Sequence, residues 1–323
     1  MRYEFGWGDS VCVREALLER DGPWFATTLE ALWSMGYPEG AGLRELTSLI
    51  IPFARDQFCS DYPYVAVTAG AHHGMATILR AFRHEFDTTH VNSTYFSFYP
   101  RLIRKEGYSM NTGNVVASDR ELMIVDSPSN PEGRHSTLGN TKKVFDQALW
   151  DGVYNNDIFT KNKEVNPGTA RFFVGSFSKF FGLNGIRLGW VGCKRKTDHD
   201  RVVEEIVEDT LGISLPSQLL ALRILKGLDI VSFTSRARFK IDSNRSEFQK
   251  LERYFGGSPV PNSGMFYLAR LDKHSRRLLK RVGVNYIDGE KCGAPGHARF
   301  NLAQDNSLTS EMVRAVMTED LSA

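Results

Sequence analysis

Residues 176–190 read SFSKFFGLNGIRLGW. One lysine, Lys179, stands beside two small hydroxyl residues, Ser176 and Ser178, and is followed by Gly182, Gly185, Arg187 and Gly189. An ammonium on a flexible stem is solvated almost anywhere, so a surface lysine needs no such surroundings. The residues leading into it, RFFVGSFSK (171–179), form a short apolar run of the kind that becomes a strand buried on both faces. That reading puts Lys179 where a strand's C-terminal end opens into a loop, the edge at which open α/β sheets bind ligands. A lysine there becomes a nucleophile toward aldehydes when desolvation or a neighbouring cation favours its neutral amine, and Arg187 is a candidate neighbour. Ser176 and Ser178 can donate hydrogen bonds to an anion, and the Arg187 guanidinium can meet a phosphate as a two-pronged donor. The three glycines would let the backbone come close. The competing reading is a glycine-bearing loop with an exposed lysine.

Working outward, similar apolar runs recur at YVAVTAG (64–70), HVNSTY (90–95), ELMIVDSPS (121–129), QALWDGVY (147–154) and IRLGWVGC (186–193). Between them, LRELTSLIIPFARDQF (43–58) and GMATILRAFRHEF (74–86) carry apolar residues at helical spacing. Alternating strand and helix predicts an α/β architecture with a mostly parallel sheet. After about residue 200 the pattern changes. RVVEEIVEDTLGISLPSQLLALRILKGL predicts a long helix interrupted at Pro216, and VSFTSRARFKIDSNRSEFQKLERYF a second one. GMFYLARL, VGVNYI and HARFNLA then predict short strands before a last helix from about Thr309, which makes a smaller α+β unit. The expected division is a large domain over 37–215 and a small domain from 1–36 with 216–323. The polar stretch DIFTKNKEVNPGTA (157–170) reads as a loop.

Of the 323 residues, 41% are hydrophobic and 24% charged, enough for a substantial core, and the formal charge of +2 gives no reason to expect nucleic acid or an anionic membrane as partner. The four cysteines are far apart, without CxxC or zinc-like His spacing, so neither a disulfide framework nor a metal site is indicated. The opening MRYEFGWGDS carries charge and glycine where a signal peptide needs an apolar run, which predicts a cytoplasmic protein.

Taken whole, S-x-S-K-x-x-G-x-x-G-x-R-x-G-W resembles the lysine motif of fold type I pyridoxal-phosphate enzymes, in the class I/II aminotransferase group that includes aspartate and histidinol-phosphate aminotransferases. Other pieces of that constellation follow in order. TAGAHHGM (68–75) resembles the strand-to-helix turn that holds the cofactor phosphate on backbone N–H groups at a helix start, which implies Gly70, Ala71 and His72 as cofactor-binding; His72 and His73 do not read as metal ligands. STYFSFYP (93–100) resembles the segment whose aromatic ring stacks on the pyridine, with Tyr95 the best match and Phe98 the runner-up. SPSNPEG (127–133) resembles the N-P-x-G element, implying that Asn130 bonds the ring oxygen. WDGVY (150–154) resembles the D-x-x-Y element. It implies Asp151 beside the pyridine nitrogen, keeping it protonated so that the ring acts as an electron sink, and Tyr154 on the ring oxygen. Asp146 is a local rival but has Leu149 where the tyrosine should stand.

GYPEGAGLREL (36–46) resembles the segment whose tyrosine reaches the phosphate of the other subunit, which implies a homodimer with Tyr37 in that place. HARFNLA (297–303) resembles the strand whose arginine pairs with the substrate α-carboxylate, here Arg299 alongside Asn130. GWGDS (6–10) resembles the substrate-covering segment, implying Gly8. The resemblance implies pyridoxal 5'-phosphate held as a Schiff base on Lys179, and amino-group transfer between an amino acid and a 2-oxo acid, with Lys179, Asp151 and Tyr154 catalytic. The alternative is a pyridoxal-phosphate decarboxylase or lyase, since SPSNPEG also resembles the alliinase and tryptophan-aminotransferase branch; a cofactor-binding protein without turnover is the third reading.

Overall fold

The structure, a computed structural model, describes residues 3–6, 10–21, 37–113, 118–136, 147–160 and 170–321. Gly8, Asp146 and most of the 157–170 loop lie outside the described residues. After a two-residue strand β1 (Tyr3–Glu4), seven strands build one sheet: β2 (Tyr64–Thr68), β3 (Thr88–Val91), β4 (Ser109–Thr112), β5 (Glu121–Asp126), β6 (Ala148–Asp151), β7 (Phe172–Ser176) and β8 (Gly189–Cys193). They lie in the order β2-β8-β7-β6-β5-β3-β4. Strand β8 runs antiparallel to both its neighbours, and the other pairs are parallel. Each apolar run named above supplies one strand, because a sheet covered on both faces needs side chains that are apolar on both. Strand β4, SMNT, is polar, lies at the sheet's edge and is largely exposed, so it left no apolar signal in the sequence.

Helices α1 (Val11–Asp21), α2 (Arg44–Phe58), α3 (Ala71–Ala81), α4 (Tyr99–Lys105), α5 (Phe177–Phe180), α6 (Lys196–Thr210), α7 (Leu215–Gly227) and α8 (Ile230–Gln249) accompany the sheet. The interruption expected at Pro216 falls earlier. Leu211 takes a left-handed conformation with φ 54°, and Pro216 occupies the first turn of α7, where a missing N–H costs nothing. Among the described residues no helix is long and apolar enough to cross a membrane.

A second sheet joins β11 (Ile287–Asp288), β12 (His297–Asn301) and β9 (Phe266–Arg270) antiparallel, and β10 (Val284–Asn285) pairs with β1. Helices α9 (Lys273–Val282) and α10 (Asn306–Leu321) pack beside them. Helix α10 starts ahead of Thr309 because the Asp305 carboxylate accepts the Leu308 N–H at 2.7 Å. The larger hydrophobic cluster takes in the main sheet together with Val13 and Leu17 of α1 and Phe233, Ala237 and Ile241 of α8. Tyr3, Phe5, Phe248, Tyr267, Phe300 and Met312 belong to the smaller one. The chain beyond residue 216 thus contributes to both cores.

The two regions meet at the turn after Asn130. Gly133 has φ 69°, and a Cβ on it would stand 2.1 Å from the Phe266 carbonyl oxygen of β9. Its own carbonyl accepts the Ser263 hydroxyl at 2.9 Å. Left-handed strain together with overpacking gives Gly133→Ala an expected destabilisation of about 2 to 5 kcal/mol. A denaturant midpoint unchanged from wild type would refute this contact as a tight one.

Candidate active site

The helical turn bearing Lys179 is fixed by its neighbours. Phe177, Phe180 and Phe181, at helical spacing, are fully buried against Phe53, Phe58, Trp190 and Phe233. Ring separations of 5.1 Å for Phe53 and Phe180 and 5.4 Å for Phe58 and Phe180 are those of favourable aromatic pairs. With that face committed to the core, Ser178 and Lys179 face a cavity of about 190 Å³. It lies beyond the C-terminal ends of β2, β5, β6 and β7, where the sequence placed a ligand edge. Lys179 is half-buried, and its Nζ donates to Asn184 Oδ1 at 3.1 Å.

One set of lining groups suits an anion. Helix α3 begins at Gly70, which offers no side-chain cap to the helix's first N–H groups. Arg187 donates to Ser178 Oγ at 3.4 Å, to the Asn184 carbonyl at 2.8 Å and to the Ala69 carbonyl at 3.4 Å. Ser176 Oγ accepts the Ser178 N–H. Gly70 has φ 90° and ψ 167°, a region open essentially to glycine, and a Cβ there would meet Arg187 Nη2 at 2.8 Å. Of the motif's three glycines, Gly182 and Gly189 do pack against backbone, with a Cβ at Gly189 reaching 2.8 Å from Gly70 C; Gly185 faces open space, so the close approach expected there is absent. His72 lines the cavity, and partial burial followed by the Arg187 and Lys105 charges lowers its pKa. His73 does structural work: its Nδ1 accepts the Ala69 N–H at 3.0 Å while its Nε2 meets Asp209. No group of residues suited to hold a metal ion occurs among the described residues.

A second set of groups is acidic and polar. Asp151, at the end of β6, is buried; its Oδ2 accepts the Tyr99 hydroxyl at 2.6 Å and its Oδ1 the Val153 N–H at 3.3 Å. Burial pushes the Asp151 carboxyl up, opposed by those two donors. Asn130 links two partners: its Oδ1 accepts Arg299 Nη1 at 2.7 Å, and its Nδ2 donates to the Tyr154 hydroxyl at 3.4 Å. Burial raises the Tyr154 hydroxyl far above the usual phenol range, so it stays neutral. Arg299 is buried, lies 4.3 Å from the Phe266 ring centroid and also donates to the Gly6 carbonyl at 3.0 Å.

One expectation is not met. Phe96, rather than Tyr95 or Phe98, lines the cavity. Tyr95 instead packs against Gly293, where a Cβ would come within 2.9 Å of its ring, and Phe98 is 48% exposed. Four aromatics in five residues left no signal to tell which one turns inward. Tyr37 is 86% exposed and sits with Pro38 and Leu211, away from the cavity. Met75, Val153 and Asn184 complete the lining and carried no motif of their own.

These residues fit pyridoxal phosphate: a helix start with Arg187 and two serines suits a phosphate, a buried carboxyl suits a ring nitrogen, and a half-buried amine held by Asn184 opens onto the same cavity. Comparison with known proteins agrees. The family model for aminotransferase class I and II matches residues 3–317. A probable aspartate/prephenate aminotransferase of Aquifex aeolicus is 23% identical over 87% of this chain and 82% of its own length. An alliin lyase of Allium cepa var. aggregatum is 26% identical over 60% of this chain but only 41% of its own length. Among solved structures, an aromatic aminotransferase from Pyrococcus horikoshii superposes with a TM-score of 0.81 at 19% identity, covering 99% of this chain and 95% of the other. The sheet order, the lysine turn and the family match lead to one statement: the chain belongs to the aminotransferase class I and II family, and it is a pyridoxal-phosphate-dependent enzyme of fold type I.

Proposed function

We propose that this enzyme transfers the amino group of an α-amino acid whose carboxylate is received by Arg299, with Lys179 as the group that moves the proton. The observation that carries this reading is the convergence of Lys179, Asp151, Asn130 and Tyr154 with Ser178 and Arg187 on one cavity. Pyridoxal phosphate supplies the electron sink that stabilises a carbanion at the substrate's α-carbon. The chain's residues supply orientation and charge. The start of α3, Ser176, Ser178 and Arg187 hold the phosphate, and Asn130 and Tyr154 orient the ring oxygen. Asp151 keeps the ring nitrogen protonated, and Phe96 gives the ring an apolar face. Lys179 Nζ acts as general base at the α-carbon, with Asn184 as its resting partner.

Arg299 is already desolvated and fixed through Asn130 and Gly6, so a carboxylate meets a preorganised fork. Arg299→Ala is expected to raise the KM for the amino acid roughly 10- to 100-fold, the size of a lost charged hydrogen bond, with Arg299→Lys falling between. Equal KM values for wild type and alanine variant would remove Arg299 from substrate binding. Two further parts of the proposal are a homodimer in which Tyr37 reaches the partner's phosphate site, supported by its exposure beside exposed Leu211, and a cytoplasmic location.

The deciding experiment is a visible absorption spectrum of the protein supplied with pyridoxal phosphate, repeated with each amino acid. A cofactor band that bleaches with particular amino acids while the matching 2-oxo acid appears supports transfer. A persistent band with release of carbon dioxide, ammonia or a side-chain fragment supports the second reading, a lyase or decarboxylase. That reading is favoured by the similarity to alliin lyases over 60% of the chain. Absence of any band sinks both.

A further inference from the structure

Strand register sets a second carboxyl next to Asp151. Asp126 ends β5 as Asp151 ends β6, and the two are direct partners in the parallel ladder. Both are buried, at 3% and 4% exposure. Their surroundings differ in hydrogen-bond donors. Asp151 accepts from a phenol and a backbone N–H, one on each oxygen. Asp126 accepts only the Asn130 N–H, at 2.8 Å on Oδ2, and its Oδ1 is buried with no hydrogen-bond partner among the described residues. The nearby cation, Arg299, spends its Nη groups on Asn130 and Gly6 and forms no ion pair with Asp126 within 4 Å among the described residues. The other titratable neighbours, Tyr99, Tyr154 and Glu132, are neutral or acidic and do not compensate a second negative charge.

Two adjacent buried carboxyls strongly disfavour each other's ionisation, and the proton settles on the less well-solvated one. An ionised oxygen without a donor carries a desolvation penalty that nothing offsets, whereas a protonated carboxyl carries a far smaller one. We propose that Asp126 is a positioning residue that holds the proton of this buried pair, leaving Asp151 as its single charged member, while Oδ2 of Asp126 fixes the Asn130 turn. Burial first and the Asp151 charge second push the Asp126 carboxyl well above the usual carboxylate range. The arrangement ties the charge that faces the cofactor ring to the turn that presents Asn130 and Arg299. The inference rests on the reading of Asp151 as the cofactor's partner only for its functional meaning; the location of the proton is a property of the chain.

The test is an infrared spectrum of the full chain near neutral pH, comparing H2O with D2O to isolate the carbonyl stretch of a protonated carboxyl. Wild type is expected to show the band, Asp126→Asn to lose it and Asp151→Asn to keep it. Amide nitrogen at position 126 would occupy the empty side of the carboxyl, so the fold and the Asn130 contact are expected to survive. Should Asp126→Asn not fold, Asp151→Asn alone decides, because it leaves Asp126 in place. A band lost in Asp151→Asn, one that persists in both variants, or none in wild type overturns the proposal. Cofactor affinity gives an independent readout: Asp126→Asn is expected to stay within about threefold of wild type, and a loss as large as that of Asp151→Asn would make Asp126 a charged partner instead. Failure of wild type to bind pyridoxal phosphate would refute the proposed function and leave the infrared result standing.

Discussion

Lys179→Ala is expected to lower turnover by about 10²- to 10⁴-fold, the usual worth of proton transfer by a positioned base, and to end covalent attachment of the cofactor. The change leaves the fold alone. Lys179 is half-buried and donates to Asn184, while the turn is held by Phe177, Phe180 and Phe181 on the other face. Alanine favours a helix, and substitutions away from core and network features stay within about 0.5 kcal/mol. The groups proposed to hold the phosphate are untouched, so the variant is expected still to bind pyridoxal phosphate, while borohydride treatment should add no cofactor mass to the chain. Near-wild-type turnover, or borohydride labelling at another lysine, would remove Lys179 from the chemistry. Loss of turnover together with a lowered thermal midpoint would instead point to a structural role.

How much of this was legible in sequence depended on what each signal encoded. Strands buried on both faces announce themselves as apolar runs, and the four motifs that lead into Gly70, Asn130, Asp151 and Lys179 all pointed to one edge. Strand β4, SMNT, did not, because most of its side chains meet solvent at the sheet's edge. The lysine turn was readable because its serines, lysine, glycines and arginine follow an apolar strand run in a fixed pattern. Which aromatic of TYFSFY enters the cavity was not, since that choice depends on the rotation of the chain after β3. Tyr95 N–H is tied to the Cys292 carbonyl at 3.0 Å, a contact nearly two hundred positions away, and this leaves Phe96 facing the site. Asp126 was invisible for the same reason: it sits beside Asp151 only through strand register. Pro216 misled because a proline stops a helix in its interior and is welcome in a first turn, a difference set by the left-handed Leu211 upstream.

Asp151→Asn separates activity from stability more sharply than any other substitution. The side chain is isosteric, and its two donors have answers: the Tyr99 hydroxyl can reverse to accept from an amide N–H, and the Val153 N–H keeps an oxygen acceptor. What disappears is the charge proposed to keep the ring nitrogen protonated. Removal of one preorganised electrostatic group typically costs about 10²- to 10³-fold in kcat, and that loss is expected here, with tighter dependence on pH because the ring nitrogen then titrates without its partner. Stability should move the other way. Burial raises the folded-state pKa of Asp151 above its unfolded value. A group raised in this sense contributes stability that is fully present below the unfolded pKa of about 3.9 and is lost as pH rises through the folded pKa. Above that window the wild-type protein carries a buried carboxylate that the unfolded chain would solvate, and the amide variant does not. Cofactor-free Asp151→Asn is therefore expected to melt at or above the wild-type temperature near pH 8, with the gap narrowing toward pH 4. A variant that melts lower at pH 8 would show that the carboxylate stabilises the fold, and the conflict between function and stability placed at this residue would not exist. A variant with unchanged kcat would show that the ring nitrogen needs no charge beside it.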